Sequence, residues 1–359
     1  MSPISSLQII GSKQFGGAEN FFIRMHNAIQ DRSDLTSIAV TSPDSELVSA
    51  LRPSVSTVPM RSVFDPFSYF GLKRLIRNTQ PDIVQTWMGR ATRLVKLPPS
   101  KGPVHVARLG GFYNPKQYQH AHALVGNTLS ICDYLVREGV PSERVSFISN
   151  FVSIPAPTPE AELQVLRQKL GLNQDDLVVF ALGRLHENKG FDTLIKAFSD
   201  LPAEVNGRAL HLLIAGDGPL SDEITQQVAD SSAVSRIQLL GWQRETTPYF
   251  HLADLFVCPS RHEPLGNVIL EAWAHGLPVV STRTHGALEL VEPDVSGFLV
   301  EIDDANAMGQ AIQQALTASD TDLSAVSAAG LRVLAERFSE DVILSEYRHL
   351  YEQLLQKGR

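Results

Sequence analysis

Cysteine is scarce in this sequence: Cys132 and Cys258 are the only two among 359 residues. Two thiols cannot supply a framework of disulfides, and so low a count is typical of proteins that work in a reducing compartment. The two lie far apart in the chain and no H-E-x-x-H pattern occurs, so we predict no metal site. The glycine fingerprint G-x-G-x-x-G is absent as well, so nothing indicates a dinucleotide cofactor.

Long apolar runs are also missing. No uncharged apolar run approaches the roughly 18 residues that a membrane-spanning helix needs. The first residues lack the basic segment and apolar stretch of a secretory signal. With 43% apolar and 19% charged residues, the chain can nevertheless bury substantial cores. We therefore expect a cytoplasmic protein, with a peripheral position on the inner face of the cell membrane as a further possibility.

Charge is unevenly distributed along the chain. The formal net charge is −8, but residues 1–150 hold 16 Lys and Arg against 10 Asp and Glu, whereas the rest of the chain is strongly acidic. Between residues 66 and 132, nine basic residues face the single acidic residue Asp82. Such a patch attracts anionic partners, for example a membrane surface. An ordinary solvated basic face is the alternative interpretation.

Short apolar runs that suit β-strands alternate with helical patterns along almost the whole chain. This alternation predicts an α/β fold with parallel, doubly wound sheets that are covered by helices on both faces. Amphipathic helices are predicted, for example, over Glu19–Gln30, Thr193–Phe198 and Val268–His275. The predicted strands are Leu7–Ile10, Ser37–Val40, Ile83–Thr86, Val104–Ala107, Leu124–Gly126, Val145–Ile148, Leu177–Leu182, Leu210–Ala215, Arg236–Leu239, Leu255–Cys258, Pro278–Ser281 and Gly297–Val300.

The stretch FVSIPAPTPEAE, residues 151–162, interrupts this alternation near the middle of the chain. Its proline and small residues are typical of a linker. We therefore predict two Rossmann-like domains of similar size, residues 1–155 and 163–339. A substrate cleft between two such domains is the expected arrangement, because ligands bind at the carboxyl ends of parallel strands.

One candidate anion site follows the strand LVVFAL. The motif GRLHENKGF begins with Gly183, which permits a tight turn, and then places Arg184 and Lys189 on the loop that leads into a helix. Two cations between a strand end and a helix N-terminus can hold a diphosphate. Surface positions without a ligand are the alternative for both side chains.

Two glycine motifs follow other strands. AGDGP, residues 215–219, places Gly216 at a strand-to-helix turn, where a ligand can approach the backbone closely. Turns of this composition are common, so the motif alone is weak. After the first strand, Gly16 and Gly17 precede an amphipathic helix and offer a similarly open backbone.

Two glutamates bracket the most informative stretch, EPLGNVILEA. Gly266 and Asn267 stand where a helix would begin, so that Glu263 lies on the preceding loop and Glu271 about two turns inside the helix. Eight residues of helix rise about 12 Å, the length of a nucleoside diphosphate with a sugar attached. Free backbone amides near Val268 suit an anion, and each carboxylate can accept hydrogen bonds from hydroxyl groups.

Together, GGAE, GRLxxxKG, GDGP and the E-x7-E motif that continues into AHGLPVVST occur in one order. In this ordered set the chain resembles the retaining nucleotide-sugar glycosyltransferases of family 4, which have the GT-B fold. The resemblance covers nearly the whole chain and is strongest from residue 177 to 300. It implies a donor-binding C-terminal domain and an acceptor-binding N-terminal domain, on which the C-terminal helix, residues 340–359, packs.

The resemblance also implies roles for individual residues. Arg184 and Lys189 would bind the donor diphosphate and stabilise the departing nucleotide, and Glu263 would hold hydroxyls of the transferred sugar. Glu271 would hold the nucleotide ribose. The remaining donor contacts would come from Gly16, Gly17, Gly183, Gly216, Leu239, Gly241, Trp242, Leu265, Gly266, Asn267 and Val268. No metal or other cofactor is implied; the co-substrate would be a UDP- or GDP-sugar.

The N-terminal domain departs from the family pattern at one position. The family often has a histidine after the strand that we predict at Val104–Ala107, where this chain reads ARLGGFYNP, with Arg108, Gly110 and Gly111. We therefore assign no protein base. The implied function is sugar transfer to a glycan or glycolipid, such as lipopolysaccharide core or another cell-surface polysaccharide. An epimerase or phosphorylase on the same fold and a non-catalytic nucleotide-sugar binding protein are the alternatives.

Overall fold

The structure is a computed structural model. It describes residues 2–13, 16–98 and 102–357, except for the side chain of Asp320. The chain divides into two compact units, with the division between Phe151 and Val152. The N-terminal unit also contains the C-terminal segment from Glu340 onward, and the second unit ends at Ser339. Among the described residues, no helix combines the length and the apolar character that crossing a membrane requires.

The secondary structure alternates between strands and helices in both units. The strands are β1 (Ile4–Ile10), β2 (Leu35–Thr41), β3 (Val55–Thr57), β4 (Ile83–Trp87), β5 (Val104–Leu109), β6 (Ala123–Gly126), β7 (Val145–Phe147), β8 (Leu177–Leu182), β9 (Glu204–Val205), β10 (Arg208–Ala215), β11 (Ile237–Gly241), β12 (Leu255–Cys258), β13 (Val279–Thr282) and β14 (Phe298–Val300). The helices are α1 (Gly17–Ile29), α2 (Pro66–Thr79), α3 (Met88–Leu94), α4 (Leu129–Arg137), α5 (Glu160–Lys169), α6 (Phe191–Ser199), α7 (Ser221–Ala229), α8 (Thr247–Leu252), α9 (Asn267–Ala274), α10 (His285–Leu290), α11 (Ala305–Thr317), α12 (Asp320–Arg337) and α13 (Glu340–Lys357).

The N-terminal unit contains a parallel sheet in the order β3-β2-β1-β4-β5-β6-β7. The chain winds outward from β1 in one direction and from β4 in the other, so its switch point lies between these two strands. Helix α13 completes the core on one face, where Tyr347 and Tyr351 are fully buried with Phe21 and Trp87. The hydroxyl of Tyr351 donates a hydrogen bond of 2.7 Å to Gln85 on β4.

The second unit repeats this winding in the order β11-β10-β8-β12-β13-β14, with the short strand β9 antiparallel to β10. Its switch point lies between β8 and β12, which pair in parallel. One face of the sheet packs under α6, α7 and α11, and the other packs against α8, α9 and the end of α12. The loops that leave the carboxyl ends of β8 and β12 are therefore neighbours.

The predicted α/β class with two doubly wound parallel sheets is confirmed, and every predicted strand is present. Strands β3 and β9 were not predicted. They have three and two residues respectively, and such short segments carry too little alternation to be recognised. The proline-rich connection is shorter than predicted, because Phe151 and Val152 are buried in the cores of their units and α5 begins at Glu160.

Candidate functional site

The candidate site of the second unit lies at the carboxyl edge of its sheet, at the switch point. The loop after β8, residues 183–190, and the loop after β12, residues 259–266, leave adjacent strands. Two backbone N–H groups, of Arg261 and His262, donate to the carbonyl of Asn188 at 2.8 and 3.1 Å. These bonds join the GRLHENKG and EPLGN motifs, which the sequence separates by some seventy positions, into one structure.

An ion pair also connects the two loops. The ammonium of Lys189 contacts the carboxylate of Glu263, which accepts a further hydrogen bond of 3.3 Å from Ser260. The side chains retain only 24% and 13% of their exposure. Burial lowers the pKa of Lys189, but the Glu263 carboxylate more than compensates, and the net pKa is raised above its ordinary value. Lys189 is therefore a fixed, fully protonated cation with one carboxylate partner.

Arg261 holds the same two loops from the outer side. Its guanidinium donates to both carboxylate oxygens of Asp192, at 2.8 and 2.7 Å, and to Asp303 at 2.6 Å. It also donates to the backbone carbonyl of Glu187 at 2.8 Å. The hydrogen bonds from Arg261 lower the pKa of Asp192 although burial opposes them. The planar guanidinium of Arg261, a fork of hydrogen-bond donors, thus fixes the loop after β12 to the beginning of α6 and to the segment before α11.

Gly216 has a packing role in addition to the ligand contact that its motif predicts. Its backbone lies at φ +145°, and a Cβ atom there would overlap the carbonyl oxygen of Gly183. Gly183 itself donates a hydrogen bond of 3.0 Å to the carbonyl of Ala215, and Leu185 donates to Asp217 at 3.0 Å. The glycine is therefore required for close packing of two backbone segments within the protein.

Helix α9 begins as predicted after the glycine of EPLGN. Gly266 is its N-cap, with φ +88°, and has no side chain to cover the first turn, which Asn267 and Val268 begin. Leu265 is buried beneath this turn. The end of the helix that offers N–H groups and a partial positive charge is therefore formed by Gly266, Asn267 and Val268.

Glu271 is half-buried on α9, but it is not two turns inside the helix. It is the fifth helical residue, one turn from the start, because the residues between Glu263 and Gly266 form an irregular loop. The predicted helical rise of about 12 Å between Glu263 and Glu271 is therefore wrong. The two carboxylates are nevertheless placed on either side of the N-terminus of α9 along the chain.

The other predicted donor contacts of the second unit surround this edge. Arg184 is exposed and makes no hydrogen bond or ion pair with any residue that the structure describes. Leu239 is half-buried on β11, and the carbonyl of Gly241 at the end of that strand accepts a hydrogen bond of 2.8 Å from Gly216. Trp242 follows and keeps 64% of its exposure. An indole this exposed offers a ring face to a planar ligand.

The predicted glycines of the N-terminal unit lie at the switch point of its own sheet. Gly16 is the N-cap of α1 with an extended backbone, and Gly17 is the first helical residue. Glu19, in the same first turn, is buried. These glycines and the Lys189–Glu263 pair belong to different units.

Arg108 occupies the end of β5, close to the position where the family often has a histidine. Its side chain is buried, with the guanidinium carbon 4.8 Å from the ring centroids of both Phe21 and Trp87. It donates to the amide oxygen of Asn150. Burial lowers the pKa of Arg108, and Tyr347 partly offsets this effect. Arg108 thus connects the carboxyl edge of the N-terminal sheet with the core that α13 completes.

Sequence reasoning missed several residues that build the site. Arg261 was not singled out although it stands two positions before Glu263, because its acidic partners lie far away in the chain. Gly190 has φ +62° and lies against the carbonyl of Pro259, where a Cβ atom would overlap. Gly286 donates a hydrogen bond of 2.9 Å to the carbonyl of Glu263. In the sequence, these two positions are visible only as a glycine after Lys189 and a glycine after His285.

Comparison with known proteins gives a consistent result. The model of the family "Glycosyl transferases group 1" matches residues 176–318, which include the whole cluster just described. The chain is 33% identical over 343 residues to the lipopolysaccharide core biosynthesis glycosyltransferase LpsE of Rhizobium meliloti, covering 93% of this chain and 95% of the relative. It is 28% identical over 348 residues to LpsD of the same organism, covering 94% and 95%.

Solved structures share the complete fold. A glycosyltransferase from Rickettsia africae superposes with a TM-score of 0.84 at 20% identity, covering 99% of both chains. HepE from Anabaena, solved in complex with UDP and glucose, gives a TM-score of 0.80 at 21% identity, covering 98% of this chain and all of its own. Two doubly wound units, the ordered motifs and a relative of nearly full length agree: the chain belongs to the group 1 glycosyltransferases and has their GT-B fold.

Proposed function

We propose that this glycosyltransferase is a retaining enzyme of family 4 that transfers a sugar from a nucleoside-diphosphate sugar to a glycan or glycolipid acceptor. The observation that carries the proposal is the Lys189–Glu263 ion pair at the switch point, beside the start of α9, whose N-cap Gly266 provides no capping side chain. Two relatives named for lipopolysaccharide core biosynthesis support a bacterial cell-surface glycolipid as the acceptor. The complex of HepE with UDP and glucose supports a UDP-sugar as donor, with a GDP-sugar as the alternative.

The cations of the second unit would act on the leaving group. Breaking the bond between the sugar and the diphosphate places positive charge on the sugar and negative charge on the departing oxygen. Lys189 is already fixed and protonated, and Arg184 is exposed at the start of the same loop. Charges that are oriented before the reaction stabilise the transition state without reorganisation. Each such group typically lowers the activation free energy by about 3–4 kcal/mol.

The carboxylates would hold the two hydroxyl-bearing parts of the donor. Glu263 has acceptor capacity beyond its contacts with Lys189 and Ser260, because a carboxylate offers about four lone-pair sites. It would accept from hydroxyls of the transferred sugar, while Glu271 would accept from the ribose. The backbone amides at Gly266, Asn267 and Val268 would approach the sugar and phosphates. Leu239, Gly241 and Trp242 would contact the base.

The ion pair makes the two proposed roles interdependent. A phosphate oxygen that approaches Lys189 competes with Glu263 for the same ammonium protons, of which there are three. Donor binding would therefore let the ammonium contact both anions, so that Glu263 orients the cation as well as the sugar. Lys189 and Glu263 would therefore lie at the reacting end of the donor and Glu271 at its other end.

The N-terminal unit would bind the acceptor. Gly16 and Gly17 would lie close to the donor phosphate and the acceptor, and Arg108 would be a positioning residue at the same edge. The basic excess between residues 66 and 132 supports docking on an anionic membrane surface, where a lipid-linked acceptor resides. A cytoplasmic location on the inner face of the membrane follows from this acceptor.

Incubation with a panel of UDP-, GDP- and ADP-sugars and a lipopolysaccharide-core acceptor tests the function. We expect one donor to release free nucleoside diphosphate in proportion to the sugar transferred, with the anomeric configuration retained. An epimerase would convert the donor without this release. Loss of turnover in Arg184→Ala with unchanged thermal unfolding, and in Glu263→Ala while that variant remains folded at the assay temperature, would separate catalysis from binding alone. Full turnover in both variants would contradict the assignment.

A further inference from the structure

Three phenylalanines of the N-terminal unit are largely exposed to solvent, although apolar rings are stabilised by burial. Phe64, Phe67 and Phe70 keep 87%, 74% and 64% of their accessible surface. Phe64 precedes α2, and the other two lie on its first two turns. None of the three belongs to a hydrophobic cluster of the unit. A contiguous apolar patch of this kind on a soluble domain usually marks an interaction surface.

The same side of α2 carries cations. At helical spacing, Arg74 lies one turn beyond Phe70, and Lys73 and Arg77 lie beside the line that joins them, both on the same side. All three are exposed, and none forms an ion pair with a described residue. Helix α2 contains no acidic residue. We call Phe64, Phe67, Phe70, Lys73, Arg74 and Arg77 the aromatic-basic face.

The opposite side of α2 anchors the helix to the sheet. Leu72 is buried in a cluster with strands β1 and β4, and Ser68 is buried beside it. Asp65 caps the helix by accepting hydrogen bonds from the backbone N–H of Phe67 at 3.1 Å and from the Ser68 hydroxyl at 2.5 Å. Because the inward side and the cap already fix α2, the aromatic-basic face is not needed to hold the helix in place.

We propose that the aromatic-basic face docks on a bilayer that contains anionic phospholipid. This inference deepens the membrane association proposed above and rests on it. Aromatic rings enter the boundary between headgroups and acyl chains, while the long stems of Lys73, Arg74 and Arg77 let their charges reach the headgroup phosphates. Anionic lipid is favoured because three cations, with no acidic residue on the helix, match a negatively charged surface.

The position of α2 in the unit connects this surface with the acceptor. Helix α2 follows β3, so its first turns lie toward the carboxyl edge of the sheet, where the start of α1 and the end of β5 also lie. Phe64 and Phe67 are therefore on the part of α2 nearest that edge. An acceptor anchored in the bilayer by its lipid would present its sugar end toward the edge where Gly16 and Arg108 lie.

Co-sedimentation with vesicles tests the proposal, with phosphatidylcholine alone or mixed with phosphatidylglycerol. We expect the full chain to bind the anionic vesicles more tightly. Phe67→Ser with Phe70→Ser should weaken this binding at least about tenfold, since two rings no longer leave water. Arg74→Gln with Arg77→Gln should weaken binding to anionic vesicles by roughly tenfold or more and should reduce its dependence on salt.

Matched controls come from α5 in the other unit. Val165 keeps 64% of its surface, and Lys169 is exposed on the same helix. Val165→Ser and Lys169→Gln should leave vesicle binding unchanged. Equal binding of the wild-type protein to neutral and anionic vesicles, or unchanged binding of the Phe67→Ser/Phe70→Ser variant, would overturn the proposal. If the wild-type protein proves to be a dimer or larger assembly and that variant is a monomer, the proposal is overturned too, because the face then contacts a second copy of the chain.

Donor binding distinguishes this inference from the proposed function. Stabilisation of the folded chain by UDP or GDP, measured by thermal unfolding, should be the same in the Phe67→Ser/Phe70→Ser variant and the wild type. If vesicle binding depends on the aromatic-basic face while no nucleotide sugar is turned over, the proposed reaction is wrong and the docking surface stands. If turnover occurs but vesicles do not bind, the docking surface is wrong.

Discussion

The ammonium of Lys189 and the carboxylate of Glu263 form an ion pair across 74 positions of the chain. Each residue follows a different strand, and the two strands are neighbours only because the sheet reverses its winding between β8 and β12. The pair therefore depends on the topology as much as on local sequence. It also means that a substitution of either residue changes the charge at the switch point and the orientation of the remaining partner.

Removal of either partner should reduce activity and stability together. We expect Lys189→Met and Glu263→Gln each to lower kcat/KM by about 10²–10³. Glu263→Gln should also lower the free energy of unfolding by about 1–3 kcal/mol, because it leaves a largely buried cation unpaired. Nucleoside-diphosphate release and chemical denaturation measure the two effects. The double variant should be less destabilised than the sum of the single ones, and strict additivity would contradict the coupling.

Arg261 should be more important for stability than its position on a surface loop suggests. Arg261→Lys removes the fork that contacts Asp192 and Asp303 together, so we expect a loss of about 1–3 kcal/mol in chemical denaturation. Arg283→Lys is the control. Among the described residues, the guanidinium of Arg283 pairs only with the exposed Glu301, at 3.4 Å, so this substitution should change stability by less than about 0.5 kcal/mol. Equal losses in the two variants would refute the special role of the fork.

Glycine 216 should tolerate no side chain. Gly216→Ala places a methyl group against the carbonyl of Gly183 at a backbone angle that other residues rarely adopt, so we expect a loss of about 3 kcal/mol or more. Gly207 provides the control, because it also has a positive φ, +76°, but no atom within 4 Å of the added Cβ. Gly207→Ala should cost only about 1 kcal/mol. Thermal unfolding of both variants separates steric overlap from backbone strain.

Stability should fall on acidification because of a buried histidine. Burial lowers the pKa of His105 to about 3, with a smaller contribution from His120 and His122. In the unfolded chain this imidazole takes up a proton near pH 6.5, so its contribution is complete above that pH and is lost progressively as the pH falls toward 3. At pH 5 the loss is about 2 kcal/mol.

A substitution tests this assignment. His105→Gln should flatten the decline in unfolding free energy between pH 6.5 and 5 relative to the wild type, since glutamine takes up no proton. His349→Gln, on the exposed side of α13, should leave the decline unchanged. A parallel decline in the wild type and His105→Gln would assign the effect to other groups, such as His26 or His211, whose pKa values are also lowered mainly by burial.

The sequence predicts the site well where chemistry and local conformation coincide. A glycine that suits a turn and is followed by apolar residues at helical spacing predicts a helix start at Gly266, and α9 begins directly after it. The same start implies that Glu271 is only one turn inside the helix. The residues between Glu263 and Gly266 form a loop, so the rise of the helix begins only at Asn267. A helix rise applies only from the first residue that is helical.

Other features depend on contacts that no local pattern contains. The partners of Arg261 lie 69 and 42 positions away, so its fork is visible only when α6 and the segment before α11 are in place. The glycine of AGDGP is evident as a turn residue, but the sequence cannot distinguish a backbone neighbour from a ligand. In the structure the neighbour is Gly183. The sequence also does not reveal that Phe67 and Phe70 are exposed, because aromatic residues in a helix are more often buried in the core.

Helix α13 belongs to the first unit although it follows the second unit in the chain. Tyr347 and Tyr351 complete the core around the N-terminal sheet, yet they are synthesised after the whole second unit, residues 152–339. On the ribosome, the second unit can reach its final fold while the first still lacks part of its interior. We therefore expect Trp87 and Phe21 in the N-terminal unit to stay incompletely buried until α13 has been synthesised. Truncation before Tyr347 should consequently harm the beginning of the protein rather than its end.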